Sequence, residues 1–160
     1  MSINHKDYKP LSIILLMWEC QGLSPRDLYF LDKSTFQQTV INGTPYYIIH
    51  TKRSKTGKPV TITLEINDYT NRLLATNIKV NSHNIRRVST ALSKRCSNCL
   101  EKYLGRHLTL YSIRRGFATI SVNRGIPIFT VASMMGRSVN GLECYLSAPI
   151  QAIISSKITL

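Results

Sequence analysis

The chain has 160 residues, of which 43% are hydrophobic and 18% are charged. This length suits a single domain, and the composition excludes an intrinsically disordered chain. There are 21 Lys and Arg residues against 8 Asp and Glu residues, so the formal net charge is +13. Such an excess favours a polyanionic partner, of which nucleic acid is the commonest and an anionic membrane surface the alternative. A protein that is simply basic is the third possibility.

Three classes of protein are disfavoured by simple patterns. No run reaches the roughly 18 consecutive apolar residues of a membrane span, and the N-terminus lacks the layout of a signal peptide. The four cysteines are too few and too unevenly spaced for a disulfide scaffold. A reducing, cytoplasmic setting is therefore the simplest interpretation.

The first predicted element is a helix over residues 8–21, apolar on nearly every face and therefore expected in the core. Gly22 is a natural stop for this helix. Ser24-Pro25 then begins a short second helix, with Ser24 as its N-cap and an acid, Asp27, in its first turn.

A three-stranded antiparallel sheet is predicted next. The turn Asn42-Gly43 is typical of a β-hairpin and separates residues 36–41 from residues 46–51. Residues 60–66 alternate between apolar and polar side chains, as a half-buried strand does. The turn before this third strand, TKRSKTGKP, contains four cations and no acid. The pattern then becomes helical: Asn67 is predicted to cap a helix to about residue 76, and Ser82 a longer helix over residues 82–104. Further helices are predicted over residues 110–125, 127–135 and 140–146, and the tail from Pro149 has no clear pattern.

Cys96 and Cys99, with His107 as a third ligand, have the appearance of a partial zinc site. A structural zinc ion needs four ligands, and no second pair of ligands follows. Both cysteines also lie on the apolar stripe of the 82–104 helix, where a free cysteine is a small core residue. We therefore predict core packing and no metal.

Five pieces of the sequence occur in a fixed order: the basic turn with Ser-Lys-Thr-Gly, a helix with Tyr-x-x-Arg, a helix opened by Gly-Ile-Pro, a Gly-Arg pair and a Tyr. In this order they resemble the catalytic domain of tyrosine recombinases (phage integrase family), most of all integrases of Bacteroidetes mobile elements. The resemblance covers nearly the whole chain. It implies a mainly helical α+β domain with a small three-stranded antiparallel sheet. It also implies one catalytic-type domain over residues 1–160, without the family's N-terminal arm-binding and core-binding domains.

The resemblance also implies roles for single residues. Tyr145 is the nucleophile that forms a 3′-phosphotyrosyl link, Arg114 stabilises the charge on the phosphoryl oxygens, and Lys55 protonates the leaving 5′ oxygen. Because the bond is stored covalently, no metal or other cofactor is expected. The implied partners are duplex DNA and further recombinase protomers, with no small-molecule substrate and no membrane. The cations expected to contact DNA are Lys52, Arg53, Lys58, Arg86, Arg87 and Arg115.

The chain departs from the family's pattern at several of these positions. Ser24 stands where the first arginine usually follows Gly-Leu, and Arg26 is the candidate replacement. The positions that are usually histidine are Tyr111, Arg115 and Arg137; of these, Tyr111 and Arg137 are expected to donate to the phosphate. The segment from Arg137 to Tyr145 is one residue shorter than usual. Three hypotheses follow: a DNA breaking-and-joining domain, a non-catalytic DNA-binding remnant of one, or a basic protein with a different partner.

Overall fold

The computed structural model describes residues 4–28, 30–77, 90–144 and 146. Single-turn 3-10 helices occupy His5–Asp7 and Lys33–Thr35. The regular elements of the described ranges are α1 (Tyr8–Glu19), α2 (Pro25–Leu28), β1 (Gln37–Ile41), β2 (Thr44–Lys52), β3 (Pro59–Glu65), α3 (Asp68–Asn77), α4 (Thr90–Leu104), α5 (Leu110–Asn123), α6 (Ile128–Met134) and α7 (Val139–Glu143). The predicted fold class, mainly helical with one small antiparallel sheet, is confirmed.

The sheet has the order β1-β2-β3, and both neighbouring pairs are antiparallel. Asn42 and Gly43 have φ values of 51° and 80°, which is the left-handed backbone that a tight hairpin requires and that Asn and Gly tolerate best. Along β3 the side chains alternate, with Val60, Ile62 and Leu64 buried. The predicted hairpin and the predicted inward face of the third strand are both confirmed.

Helix α1 ends at Glu19, two residues earlier than predicted, because Gln21 and Gly22 both have positive φ values, of 60° and 69°. Its Leu16 and Met17 are fully buried, as expected for a core helix. The expectation of burial on nearly every face is wrong at Leu15, which remains exposed.

Local capping explains where α3 begins. The side chain of Asn67 accepts from the Thr70 N–H (2.9 Å), and the Thr70 hydroxyl accepts from the Asn67 N–H (3.1 Å), so α3 starts where predicted. The described part of the 82–104 helix begins at Thr90, and its earlier residues lie outside the described ranges. The last predicted helix, over 140–146, is seen as the shorter α7.

The core consists of two groups of buried side chains. The larger group joins α1, the inner face of the sheet, α3 and α4, and the smaller group joins α5, α6 and α7. Cys96 and Cys99 are buried, which confirms that they pack in the interior. None of the helices in the described part of the chain combines the length and hydrophobicity that crossing a bilayer would require.

Candidate active site

The turn between β2 and β3 carries Lys55 and is closed by its own backbone. The Arg53 N–H donates to the Lys58 carbonyl (2.8 Å), and the Gly57 N–H donates to the Arg53 carbonyl (2.7 Å). The side chains of Lys52, Lys55 and Lys58 are exposed on this turn. The turn therefore presents three ammonium groups to solvent on a fixed backbone.

Asp27 anchors this turn to α2. Its carboxylate is 1% exposed and accepts from the Ser54 N–H (3.0 Å), the Ser54 hydroxyl (2.6 Å) and the Ser24 hydroxyl (2.8 Å). Burial alone would raise the pKa of Asp27, but the hydrogen bonds from Ser54 and Ser24 and the charge of Arg53 outweigh it and hold the pKa below its usual value. A buried, charged carboxylate thus fixes the residue next to Lys55.

Arg53 lies beneath the turn, and only 8% of it is exposed. Its Nε is 3.4 Å from Asp27 Oδ2, which forms a buried ion pair. Its aliphatic stem packs against Gly136, where an added Cβ would lie 2.9 Å from both Arg53 Cγ and Cδ. The sequence interpretation grouped Arg53 with Lys52 and Lys58, whereas the structure separates this buried side chain from the two exposed ones.

Arg114 is the second arginine whose guanidinium group is held in the interior. It lies on α5, is 4% exposed, and its Nη1 donates to the Gly22 carbonyl at 2.5 Å. Tyr111, one turn earlier on α5, is 53% exposed. The two residues lie one turn apart on α5, where Arg114 is buried and Tyr111 is exposed.

Gly136 and Arg137 follow the end of α6. The Arg137 N–H donates to the Ala132 carbonyl (2.8 Å), and Gly136 takes a left-handed φ of 63°. Because Gly136 lies against Arg53, and Met135 lies against Gly22, the end of α6 approaches the supports of both buried arginines. Arg137 is half-buried at this junction, whereas Arg26 on α2 and Arg115 on α5 are exposed.

Three predicted residues, Tyr145, Arg86 and Arg87, lie outside the described residues. Helix α7 ends at Glu143, and Cys144 follows it as an exposed thiol whose Sγ donates to the Asn140 carbonyl (3.7 Å). Within the described ranges, the candidate site residues with defined supports are the turn of Lys55 and Arg53, held by Asp27, and Arg114, held by the Gly22 carbonyl; Arg137 follows the end of α6.

Sequence reasoning did not single out the partners that hold these cations. Asp27 was assigned only a favourable place in the first turn of α2, and Ser54 was assigned nothing. The available signal was a carboxylate close in sequence to the position of the absent first arginine. Helix capping explains such a carboxylate equally well.

The comparisons with known proteins bear on the fold. No protein-family model matches this sequence, and no curated protein does. A solved structure, the crystal structure of XerA recombinase, is similar with a TM-score of 0.55 at 14% sequence identity. The match covers 98% of this chain and 65% of that one, so this chain spans about two thirds of the recombinase's length. The fold of this chain is like that of a tyrosine recombinase.

Proposed function

We propose that this chain is a DNA breaking-and-joining domain of the tyrosine recombinase type, which acts on duplex DNA as one protomer of a multimer. The observation that carries the proposal is that two arginines are buried and each is held by an oxygen partner: Arg53, in the turn of Lys55, by Asp27, and Arg114, on α5, by the Gly22 carbonyl. Guanidinium groups that are fixed before substrate binds suit a phosphoryl group that gains charge in the transition state. The similarity in fold to XerA recombinase supports the same conclusion.

In the proposed reaction the Tyr145 hydroxyl oxygen attacks the scissile phosphorus. A bond forms between phosphorus and the tyrosine oxygen, the bond to the 5′ oxygen breaks, and the phenol proton is lost to solvent. Lys55 Nζ gives a proton to the leaving 5′ oxygen. Rejoining is the reverse, with a 5′-hydroxyl as the nucleophile, so the chemistry consumes no external energy. Arg114 and Arg137, with Tyr111, are proposed as donors to the phosphoryl oxygens.

For the absent first arginine we assign the replacement to Arg53 in preference to Arg26. The Ser24 hydroxyl and Arg53 Nε both donate to the same oxygen, Asp27 Oδ2, at 2.8 and 3.4 Å. Arg53 therefore reaches the surroundings of residue 24 from the turn between β2 and β3. Arg26 is exposed and has no such fixed partner among its described contacts.

The finer parts of the proposal follow from the sequence resemblance. We assign the chain to a mobile-element integrase of the Bacteroidetes type that works in the cytoplasm, with residues 1–160 forming a single catalytic-type domain. Lys52, Lys58 and Arg115 are exposed and are proposed to contact the DNA backbone. Arg86 and Arg87 are proposed to do the same.

A nicked suicide duplex, in which cleavage releases a short strand and prevents rejoining, tests the enzymatic step. Wild-type protein should give a covalent protein–DNA adduct under denaturing conditions. Tyr145→Phe should give none, and Tyr69→Phe, a change on α3, should behave as wild type. DNA affinity should be measured over a salt series. The logarithm of the affinity should fall linearly with the logarithm of the salt concentration, with a slope of about −0.9 for each phosphate contact.

Each outcome distinguishes between the hypotheses. Salt-dependent DNA binding with no adduct from any of the proteins would reject the enzyme and leave the DNA-binding remnant. Affinity that does not change with salt would reject DNA as the partner. An adduct that persists in Tyr145→Phe would reject Tyr145 as the nucleophile.

A further inference from the structure

Gln21 has a backbone conformation that its residue type does not favour. It is 8% exposed and has a φ of 60°, although it is neither glycine nor the asparagine that usually tolerates this region. Its neighbour Gly22 already supplies a left-handed residue at the end of α1. A strained residue persists when surrounding interactions hold it, and such residues concentrate at functional sites.

The side chain of Gln21 explains why the strain persists. Its amide nitrogen donates to the Thr61 carbonyl (3.2 Å) and the Met134 carbonyl (2.9 Å), and its amide oxygen accepts from the Thr63 N–H (3.2 Å). β3 is an edge strand, so a carboxamide bonded to Thr61 and Thr63 occupies the place that another strand's peptide group would take. The chain therefore uses one side chain to complete the edge of the sheet.

The same amide completes the end of α6. The last four carbonyls of a helix have no partner within it. At α6 the carbonyls of Val131, Ala132 and Ser133 accept from the N–H groups of residues 135–137, and the Met134 carbonyl accepts from Gln21. Gln21 thus closes the turn from which Arg137 projects.

We propose that Gln21 is a positioning residue that holds Arg137 and the β3 strand below Lys55 in one fixed relation to Arg114. Gln21 and Gly22 are adjacent in the chain. The Gln21 side chain donates to β3 and to the end of α6, and the Gly22 carbonyl accepts from Arg114. A rigid shell around the reacting groups is what phosphate stabilisation requires. This inference rests on the proposed function only in taking Arg137 to be a phosphate ligand.

Two substitutions separate the effect of the Gln21 hydrogen bonds from the effect of its unfavourable φ. Gln21→Met keeps the size and loses the three hydrogen bonds. Gln21→Gly loses them too, while relieving the unfavourable φ. Ile13→Val, a mild change in the larger core cluster, serves as a control for loss of overall stability.

Hydrogen exchange at the Gly136 and Arg137 amides gives a readout that requires no DNA. We expect exchange at both amides to accelerate by about tenfold in Gln21→Met and in Gln21→Gly, compared at equal global stability with Ile13→Val. Equal exchange in all of these proteins would overturn the positioning role.

A double-mutant cycle on DNA affinity tests the coupling to Arg137. If Gln21 acts through Arg137, then Gln21→Met weakens binding less in the Arg137→Ala background than in wild type, by about fivefold. Effects that simply multiply would reject the coupling. If Arg137→Ala leaves DNA affinity unchanged while exchange accelerates as expected, the proposed phosphate contact fails and the positioning by Gln21 stands.

Discussion

Asp27 and Ser54 are joined by two hydrogen bonds to one carboxylate oxygen, at 3.0 and 2.6 Å, across 27 residues of sequence. One of the two donors is the backbone N–H of Ser54 and the other is its hydroxyl. Because Ser54 immediately precedes Lys55, the position of the candidate general acid depends on a buried carboxylate of another element. The second oxygen of Asp27 is held by Ser24 and Arg53, so the same group also fixes an arginine.

Asp27→Asn tests how much the fold depends on this carboxylate. The substitution keeps the shape but leaves the buried Arg53 without its counter-charge, and breaking a buried ion pair in this way costs about 3–5 kcal/mol. Urea unfolding should show a free energy of unfolding lower by that amount. Asp32→Asn is the control, because Asp32 caps the exposed 3-10 helix Lys33–Thr35 through the Ser34 N–H and Asn caps as well as Asp. This variant should change the free energy of unfolding by less than about 0.5 kcal/mol. Equal losses in both variants would contradict the prediction.

The pKa of Asp27 predicts how stability depends on pH. Although burial raises this pKa, the hydrogen bonds from Ser54 and Ser24 and the charge of Arg53 lower it further than burial raises it. Asp27 therefore binds its proton less tightly in the folded chain than in the unfolded chain, in which the pKa of an Asp is about 3.9. The contribution of Asp27 to the free energy of unfolding is therefore complete above the unfolded pKa, and it is lost as pH falls through the folded pKa.

The free energy of unfolding, measured in steps from about pH 6 to pH 2, checks this dependence. As pH falls, the free energy of unfolding should decrease less steeply in Asp27→Asn than in wild type. The pKa values of Asp7 and Asp32 are also lowered, by Lys102 and by Ser34 respectively. Both groups remain in both proteins, so the difference between the curves isolates Asp27. Parallel curves would show that Asp27 is not held in its charged form.

Gly136→Ala tests the contact between the end of α6 and the hairpin. An added Cβ would lie 2.5 Å from Val60 Cγ2 and 2.9 Å from Arg53 Cγ, at a residue whose φ is 63°. Overpacking of this kind costs about 1–3 kcal/mol beyond the cost of the left-handed backbone. Gly125→Ala is the matched control, because it has a φ of 90° and no heavy atom within 4 Å of the added Cβ. If the two variants lose equal stability in thermal unfolding, the close approach of Arg53 to Gly136 does not exist in solution.

Lys55→Ala tests the proposed general acid separately from DNA binding. The rate of adduct formation should fall by about 10²–10⁴-fold, while affinity falls only by the loss of one cation. A substrate with sulfur at the bridging 5′ position needs no proton on its leaving group, so it should restore most of the rate in Lys55→Ala. Lys52→Ala, on the same turn, should show neither the large loss nor the rescue. A Lys55→Ala protein that is equally slow on both substrates would exclude the acid role.

The sequence predicted the elements well where the pattern is local. The alternation of Val60, Ile62 and Leu64, the turn at Asn42-Gly43 and the cap at Asn67 each depend on neighbouring residues, and each was located correctly. The end of α1 was placed two residues too late because the positive φ of Gln21 is imposed by distant partners. Only Gly22 gave a local signal there.

The sequence names the cations of the candidate site, and their role stays a prediction; it does not name the groups that hold them. Arg114 and Lys55 carry recognisable neighbours in sequence, but the burial of Arg53 depends on Asp27 and Gly136, which only the tertiary fold brings close. A turn with four cations predicts an exposed basic surface, and nothing local marks the one guanidinium that turns inward. Long-range pairing of this kind is absent from any single stretch of sequence.

The distribution of the four thiols gives this protein a natural reporter. Burial raises the pKa of Cys20 to about 12 and that of Cys96 to about 11, and it also raises the pKa of Cys99. These three thiols are therefore protonated and shielded at neutral pH, whereas Cys144 is exposed. A maleimide dye would attach at Cys144 without any engineered cysteine. Its fluorescence would then report, one residue away from Tyr145, when DNA arrives at the proposed nucleophile.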